Sequence, residues 1–426
     1  MKNIVPSVKG TRDFYPEEMA VRSWLFSKVR KISELYGYEE YEGPFLERLD
    51  LYAAKSGDEL VNQQSYVFQD RGGDQITLRP ELTPTLARMV AQKQKELAYP
   101  LRWWSFGPFW RYERPQKGRT REFFQWNIDL IGVNAPEADA EMVAIAVSLF
   151  QELGLGADKV RIAVNSRRLM DTELGALGIS KEMQKVVFRV IDRRDKMTAQ
   201  EWEEYALSSG LTAEQLQGIL RIQGDTTLWQ RSDDLRRVFE ILEKMGMRDY
   251  VEFDPEVIRG LDYYTGLVFE AQARSGGRAI FGGGHYDNLV AAVGGDPLPG
   301  VGFAMGDVMI SIILRENNLI PELKLVPAET LVTIFDSESL PDAFGLAADL
   351  RQAGLKVVVY PEPAKLQKQL KYADKIGVRF ALIAGPDERA AGQVTVKDLR
   401  EGVQETINRA QAADYLAQRL ALVQAV

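Results

Sequence analysis

The stretch Phe109–Asp129, FWRYERPQKGRTREFFQWNID, concentrates side chains that could do chemistry on a phosphate and an amine. Arg111 ends a first strand-like arm, and the second arm alternates between two faces. Side chains repeat every two residues along a strand, so Gln125 and Asp129 share one face while Phe124, Trp126, Ile128 and Leu130 share the other. Between the arms lie Arg114, Lys117, Arg119 and Arg121, with Gly118 available for a turn. A cationic loop above an amide and a carboxylate suits a polyphosphate beside an amine. An ordinary hairpin with a solvated basic tip is the competing reading.

Three further segments carry similar potential. RGLDYYTGLVFE, from Arg259 to Glu270, sets Tyr263 and Tyr264 between Gly260 and Gly266; two flat rings with hydroxyls could flank a small polar ring. An arginine such as Arg259 matches phosphate oxygens with a planar fork. A glycine-bounded turn with aromatic core anchors is the alternative. In LRPELT, Glu81 and Thr83 stand just before a predicted helix, where they could cap it or line a pocket. FGGGHYDNL and GVGFAMG are glycine clusters that let a backbone approach a flat ligand.

Positioning such groups needs a framework, and the sequence supplies one. Helices are predicted over Pro16–Tyr36, Thr85–Leu97 with Thr83 as N-cap, Ala135–Leu153 and Asp307–Glu316. Strands are predicted near Ser65–Gln69, Gln75–Arg79, Leu101–Arg111, Glu122–Gly132, Val160–Val164, Leu267–Ala273, Ala279–Gly283 and Gly300–Met305. Residues 166–246 read as a helical insertion in a first domain covering 1–320. Beyond a polar, proline-containing boundary, strand and helix alternate from 327 to 426, which implies a small α/β domain. Its predicted elements are strands at Leu331–Phe335, Lys356–Tyr360, Phe380–Ala384 and Gln393–Lys397, with helices at Leu340–Gln352 and Lys365–Ile376 and at the end. The lysines at 365, 368, 371 and 375 recur on one helical face, either solvated or aimed at phosphates.

Composition narrows the chemistry. The 426 residues include no cysteine and one histidine, His285, which nearly excludes thiolate centres, imidazole triads and multi-histidine zinc sites; no metal-ligand set is assigned. The formal charge of −8 argues against an indiscriminate nucleic-acid coat. No stretch has the length of a membrane helix and no targeting segment is recognised, so a cytoplasmic protein is expected.

Taken together, GTRDFYP, LRPELTPTLARMV, FWRYERPQKGRTREFFQ, RGLDYYTGLVFE and GGGHYDNLV resemble class II aminoacyl-tRNA synthetases, and within them the histidyl-tRNA synthetase family. The resemblance spans nearly the whole chain. It implies an α+β core with an antiparallel sheet, the helical insertion, and a C-terminal α/β domain that binds the anticodon. It implies ATP-dependent activation of L-histidine, with Mg²⁺ accompanying ATP, and transfer to tRNA(His). Carried over, Arg111 and Arg259 grip the α-phosphate and Phe123 stacks on adenine, with Glu113 and Arg119 as further ATP contacts. Glu81, Thr83, Gln125 and Asp129 hold the amino group and imidazole of histidine, and Tyr263 and Tyr264 complete the ring pocket. Lys117, Arg121, Lys365, Lys368 and Lys371 become candidate tRNA contacts, and a homodimer is implied with Gly10–Tyr41 near its interface.

Three departures stand out. Asp129 occupies a place where the family usually has glutamate. His285 replaces an arginine of the GGGRYD pattern. Met309 stands where the third class II motif commonly has an arginine beneath ATP; Arg278 and Arg114 are candidates to substitute for it, and neither is assigned. A non-catalytic histidine sensor, such as the regulatory subunit of ATP phosphoribosyltransferase, is the alternative function. The retained Arg111 and Arg259 and the C-terminal domain speak for the enzyme.

Overall fold

The computed structural model describes residues 4–53, 63–194, 197–258, 263–323 and 325–424. It divides into two compact units, Met1–Pro321 and Glu322–Val426.

The first unit opens with helix α1 (Pro16–Leu35), two short strands β1 (Glu39–Glu40) and β2 (Leu46–Arg48), and helix α2 (Asp50–Ala53). Strands β3 (Tyr66–Gln69) and β4 (Gln75–Leu78) follow, then helix α3 (Thr83–Lys93). The long hairpin is β5 (Leu101–Trp110) and β6 (Glu122–Ile131), followed by α4 (Pro136–Glu152) and β7 (Val160–Ser166). Proline sits in the first turn of α1, α3 and α4, where its missing N–H has no intrahelical partner to lose.

Five helices fill the predicted insertion: α5 (Arg167–Ala176), α6 (Lys181–Asp192), α7 (Ala199–Ser208), α8 (Ala213–Gly224) and α9 (Asp233–Lys244). Each begins on a hydroxyl residue, Ser166, Ser180, Thr198, Thr212 or Ser232, whose side chain accepts from a first-turn N–H. Strands β8 (Val251–Phe253), β9 (Leu267–Ala273), β10 (Phe281–Tyr286) and β11 (Gly300–Gly306) and helix α10 (Asp307–Glu316) complete the unit.

Eight of these strands form one sheet in the order β1-β5-β6-β11-β10-β9-β7-β8. Its six central strands pair antiparallel, and the two outer strands β1 and β8 pair parallel. One face is packed by α1 and α4: Trp126 and Ile128 of β6 are fully buried with Leu25, Val29, Ile145 and Phe150. The Trp126 indole donates to Ser33 Oγ at 3.1 Å, which satisfies the polar atom of that packed face. Strict alternation then turns Gln125, Asn127 and Asp129 to the opposite face. There α3 packs on the sheet through Leu86, Ala87 and Val90, against Leu101, Ile131 and Tyr286.

The second unit contains β12 (Thr330–Val332), α11 (Leu340–Gln352), β13 (Val357–Val359), α12 (Leu366–Lys375), β14 (Phe380–Ile383), α13 (Pro386–Ala390), β15 (Gln393–Asp398), β16 (Gln404–Asn408) and α14 (Ala412–Gln424). Its sheet runs β13-β12-β14-β15-β16, parallel across the first three strands and antiparallel thereafter.

Several details differ from the sequence reading. Thr83 is the first residue of α3, and no side-chain cap is made at its N-cap, Leu82. Strand β10 extends to Tyr286 rather than ending at Gly283, because pairing with β9 and β11 carries the glycine run that local propensity disfavours. β16, QETIN, was not anticipated; it is a mostly exposed edge strand with no buried alternation to mark it. Among the described residues no helix is long and apolar enough to cross a membrane.

Arg79 fastens the small β2-β4-β3 sheet to the hairpin. Its side chain is fully buried, paired with Glu42 at 2.5 Å, and donates to the carbonyls of Pro108 and Gly43 at 3.0 and 3.1 Å. Its guanidinium also lies 4.5 Å from the Phe109 ring centroid. Arg79→Ala strands those carbonyls and opens a cavity, and is expected to cost about 2–4 kcal/mol in urea unfolding.

Candidate active site

A cavity of about 120 Å³ opens on the front of the sheet. Its lining includes Glu81 and Thr83 at the start of α3, Arg111 at the end of β5, Gln125, Asn127 and Asp129 on β6, and Tyr263 and Tyr264. Gly282 and Tyr286 on β10 and Gly302 on β11 complete the wall. Six of the residues singled out from sequence for histidine, together with Arg111, therefore line one pocket.

Asp129 is buried in the cavity wall, only 4 % exposed. The Tyr286 hydroxyl donates to its Oδ1 at 2.9 Å. Among the described residues it forms no ion pair. Burial pushes its pKa up to about 7, opposed by the tyrosine bond. Two neighbours on the strand lack partners altogether: Gln125 Oε1 and Asn127 Nδ2 are buried with no hydrogen-bond partner. A native interior pairs nearly all its polar atoms, so an unpaired acceptor and donor beside a carboxylate held by one hydroxyl alone mark a polar ligand site. Asn127 and Tyr286 escaped the sequence reading. The alternation already noted puts Asn127 between Gln125 and Asp129, and the same period puts Tyr286 two residues beyond Gly284.

The glycines make room for side chains as well as for ligand. A Cβ on Gly302, which pairs across the ladder with Asp129, would collide with the Asp129 carboxylate. A Cβ on Gly284 would fall 2.7 Å from the Tyr264 ring. The rings of Tyr263 and Tyr264 meet at 4.8 Å between centroids, and Tyr263 stands edge-on to Tyr286 at 6.1 Å. The Tyr263 hydroxyl is hydrogen-bonded to Thr83 and Tyr264, and burial raises its pKa well above the ordinary phenol value. Thr83 thus faces the pocket instead of capping its helix. Glu81 is buried, 7 % exposed, on the same wall.

Arg111 stands at the mouth. Its Nε donates to the Pro80 carbonyl at 2.9 Å, and its guanidinium sits 5.4 Å from the Phe123 ring centroid. Burial lowers its pKa, Glu81 and Glu113 oppose that, and Arg119 adds to it. Phe123 in turn stacks on Phe109 at 6.0 Å. Arg119 pairs with Glu113 at 2.8 Å. Arg259 lies outside the described residues.

The remaining candidates sit elsewhere. Lys117 is exposed and pairs with Glu316 at 3.1 Å. Arg121 turns inward: its Nε donates to the Glu113 carbonyl at 3.1 Å and its guanidinium lies 4.1 Å from the Tyr112 centroid. Lys365, Lys368 and Lys371 are exposed along α12 in the second unit, Lys368 beside Glu362 at 3.2 Å.

His285 points away from the cavity, to the rear of the sheet. Its Nδ1 lies 2.9 Å from Asp139 Oδ1 of α4 and its Nε2 3.2 Å from Asp287 Oδ1. Burial pulls its pKa down, but the two carboxylates outweigh that and leave it raised. Its replacement of the expected arginine therefore bears on the packing of α4 against the sheet and not on the pocket.

The folded state retains a proton on Asp129 between about pH 4 and 7 that the unfolded chain has released. On this group's account stability falls as pH rises through that window and levels above it. Asp129→Asn removes the effect, so its stability relative to the parent protein should increase from about pH 4 to about pH 7, by on the order of 3–4 kcal/mol. Denaturant unfolding of both proteins across that range checks this.

Comparison with known proteins identifies the family. The family model described as histidyl-tRNA synthetase matches residues 10–308, and one described as an anticodon binding domain matches 326–419. The histidine–tRNA ligase of Leptospira biflexa is 36% identical over 97% of this chain and 97% of its own length. The chloroplastic/mitochondrial enzyme of Arabidopsis thaliana is 39% identical over 93% of this chain and 83% of its own. The crystal structure of histidyl-tRNA synthetase from Nostoc sp. PCC 7120 superposes with a TM-score of 0.76 at 26% identity, covering 98% of this chain and all of that one. With the family model matching residues 10–308, a sequence match over nearly the full length and a shared fold, this chain belongs to the histidyl-tRNA synthetase family of class II aminoacyl-tRNA synthetases.

Proposed function

We propose that the chain is a histidine–tRNA ligase that binds L-histidine in the Asp129 pocket, activates it with ATP, and transfers it to tRNA(His). One observation carries the assignment of the pocket: a buried carboxylate with no cation among the described residues, beside an unpaired amide acceptor and amide donor, opens toward an arginine. Histidine brings what that pocket lacks. Its ammonium and imidazole N–H groups are donors, and Asp129, Glu81, Thr83 and Gln125 are their acceptors in this reading. Tyr263 and Tyr264 close on the ring. A ligand donor or cation at Asp129 offsets the cost of ionising it, so binding histidine favours release of its proton near neutral pH.

The reaction needs alignment more than a proton-transfer base. The histidine carboxylate attacks the α-phosphorus, the phosphoanhydride bond breaks, and pyrophosphate leaves with the electron pair. Arg111 and Arg259 are assigned to the α-phosphate, where guanidinium forks stabilise charge building on its oxygens. Phe123 offers its ring to adenine; Glu113 and Arg119 contact the nucleotide beyond it. A ribose hydroxyl at the tRNA terminus then attacks the acyl carbon, and AMP departs.

Among the described residues no three His, Cys, Asp or Glu side chains gather as a metal site. Mg²⁺ in this reading therefore enters with ATP, held largely by phosphate oxygens and water. The exposed apolar residues Ile4, Val5 and Val8 of the N-terminal arm, with Phe45, Leu46, Val67 and Phe68 of the small sheet, support a homodimer. Lys117, Arg121, Lys365, Lys368 and Lys371 are proposed tRNA contacts, the last three in the anticodon-binding domain. The pairing of Arg111 with a C-terminal domain of that family favours the ligase over a histidine sensor.

ATP–pyrophosphate exchange, run with each amino acid in turn, should depend strictly on histidine; exchange with another amino acid, or tight histidine binding without exchange, refutes the assignment. Arg259→Ala should lower histidine-dependent exchange by about 100–1,000-fold while the melting temperature holds. Reversing charge at Lys365, Lys368 and Lys371 should weaken tRNA binding and flatten its salt dependence, and unchanged binding would leave that face merely solvated.

A further inference from the structure

The hairpin loop and the β9–β10 turn meet over Gly118. Its φ of +82° is a left-handed turn conformation, and a Cβ there would press on Met309 Sδ and lie 3.2 Å from Arg278 Cδ. Met309 comes from α10 and Arg278 from the turn before β10, so two side chains from separate elements cover one loop glycine. Lys117, next in the chain, pairs with Glu316 of α10 at 3.1 Å and ties the loop to that helix.

Arg278 has an unusual electrostatic position. It is half-buried, and among the described residues it forms no ion pair or hydrogen bond. Burial lowers its pKa, the nearby Arg119 lowers it further, and Glu113 opposes both. The Glu113 carboxylate is already engaged by Arg119 at 2.8 Å. Arg111 feels the same two groups, Glu113 and Arg119. Three guanidinium groups, Arg111, Arg119 and Arg278, thus surround a region where Glu113 is the shared carboxylate. A half-buried cation held beside another cation is unfavourable unless an anion joins them. Arg114, the other candidate, is exposed and is not among the groups that act on Arg278. Met309, at the place where the third class II motif commonly supplies a cation, contributes a neutral thioether.

We propose that Arg278 binds the outer phosphates of ATP, supplying from the β9–β10 turn the cation that α10 lacks at Met309. The assignment rests on the ligase reading and extends it. ATP would run from Arg111, at the α-phosphate, toward Arg119 and Arg278, which hold the pyrophosphate that leaves. The third cationic contact then reaches the nucleotide from a different strand while the attacking carboxylate and the α-phosphate keep their places.

The test is ATP–pyrophosphate exchange in the full-length protein carrying Arg278→Ala, Arg278→Gln or Arg278→Lys. The neutral variants should raise KM for ATP by about 10- to 100-fold and weaken inhibition by excess pyrophosphate. KM for histidine and the melting temperature should hold, and Arg278→Lys should recover part of the ATP affinity. An unchanged KM for ATP in both neutral variants, or an equal loss of histidine and ATP affinity that lysine does not restore, overturns the assignment. Normal exchange in the parent protein keeps the ligase reading intact in that event, whereas a parent protein that does not exchange overturns both.

Discussion

The pocket is organised around a carboxylate buried, among the described residues, without a counter-cation. Asp129 sits mid-strand, with Trp103 beside it on β5 and Gly302 on β11. Only glycine can face it there, because a methyl group at 302 would occupy the space of its oxygens. The rear of the same strand is fixed by Trp126 and Ile128 in the main core, and a slip of one residue would exchange these with the polar face. Core packing and site geometry are therefore one constraint: whatever holds the register of β6 also aims Asp129.

Around that centre the molecule keeps its cations at the mouth and its unpaired amides in the depth. Arg111, at the end of β5, is separated from Asp129 by the length of the pocket wall that Gln125 and Asn127 provide. The arrangement leaves the carboxylate free for a ligand donor and the guanidinium free for a ligand anion. Self-neutralisation of the two would have closed the site. Arg79, by contrast, is neutralised by Glu42 and buried in the joint between sheets, where its work is mechanical.

Much of this was legible in the chain. Alternation from Phe124 to Leu130 separated the packed face from the polar one, and it did so because both faces are buried in different company. Helix α10 and helix α11 were bounded correctly by their flanking polar and proline residues. What was hidden depended on partners remote in sequence. The strand through Tyr286 is held by neighbours on both sides that override its glycines, and β16 is an edge strand with no packed face to announce it. Thr83 looked like a cap because a threonine before a proline usually is one, yet Tyr263, 180 residues away, takes its hydroxyl. The site roles of Asn127 and Tyr286 were within reach of the same alternation. Family resemblance supplied the chemistry; periodicity alone would have stopped at a cationic hairpin above an acid.

The Asp129 carboxylate also bears on fidelity. In the proposed ligase reading, an amino acid of similar size with a purely apolar side chain would bring Asp129 no donor beyond the Tyr286 hydroxyl, leaving a charge or a trapped proton in a dry cavity. Pockets built to hydrogen-bond their substrate reject analogues lacking the donor by about 10⁴–10⁵, far more than a cavity that discriminates by one methylene. In that reading, selection of that size at the first step would make a second, hydrolytic sieve for mischarged products unnecessary.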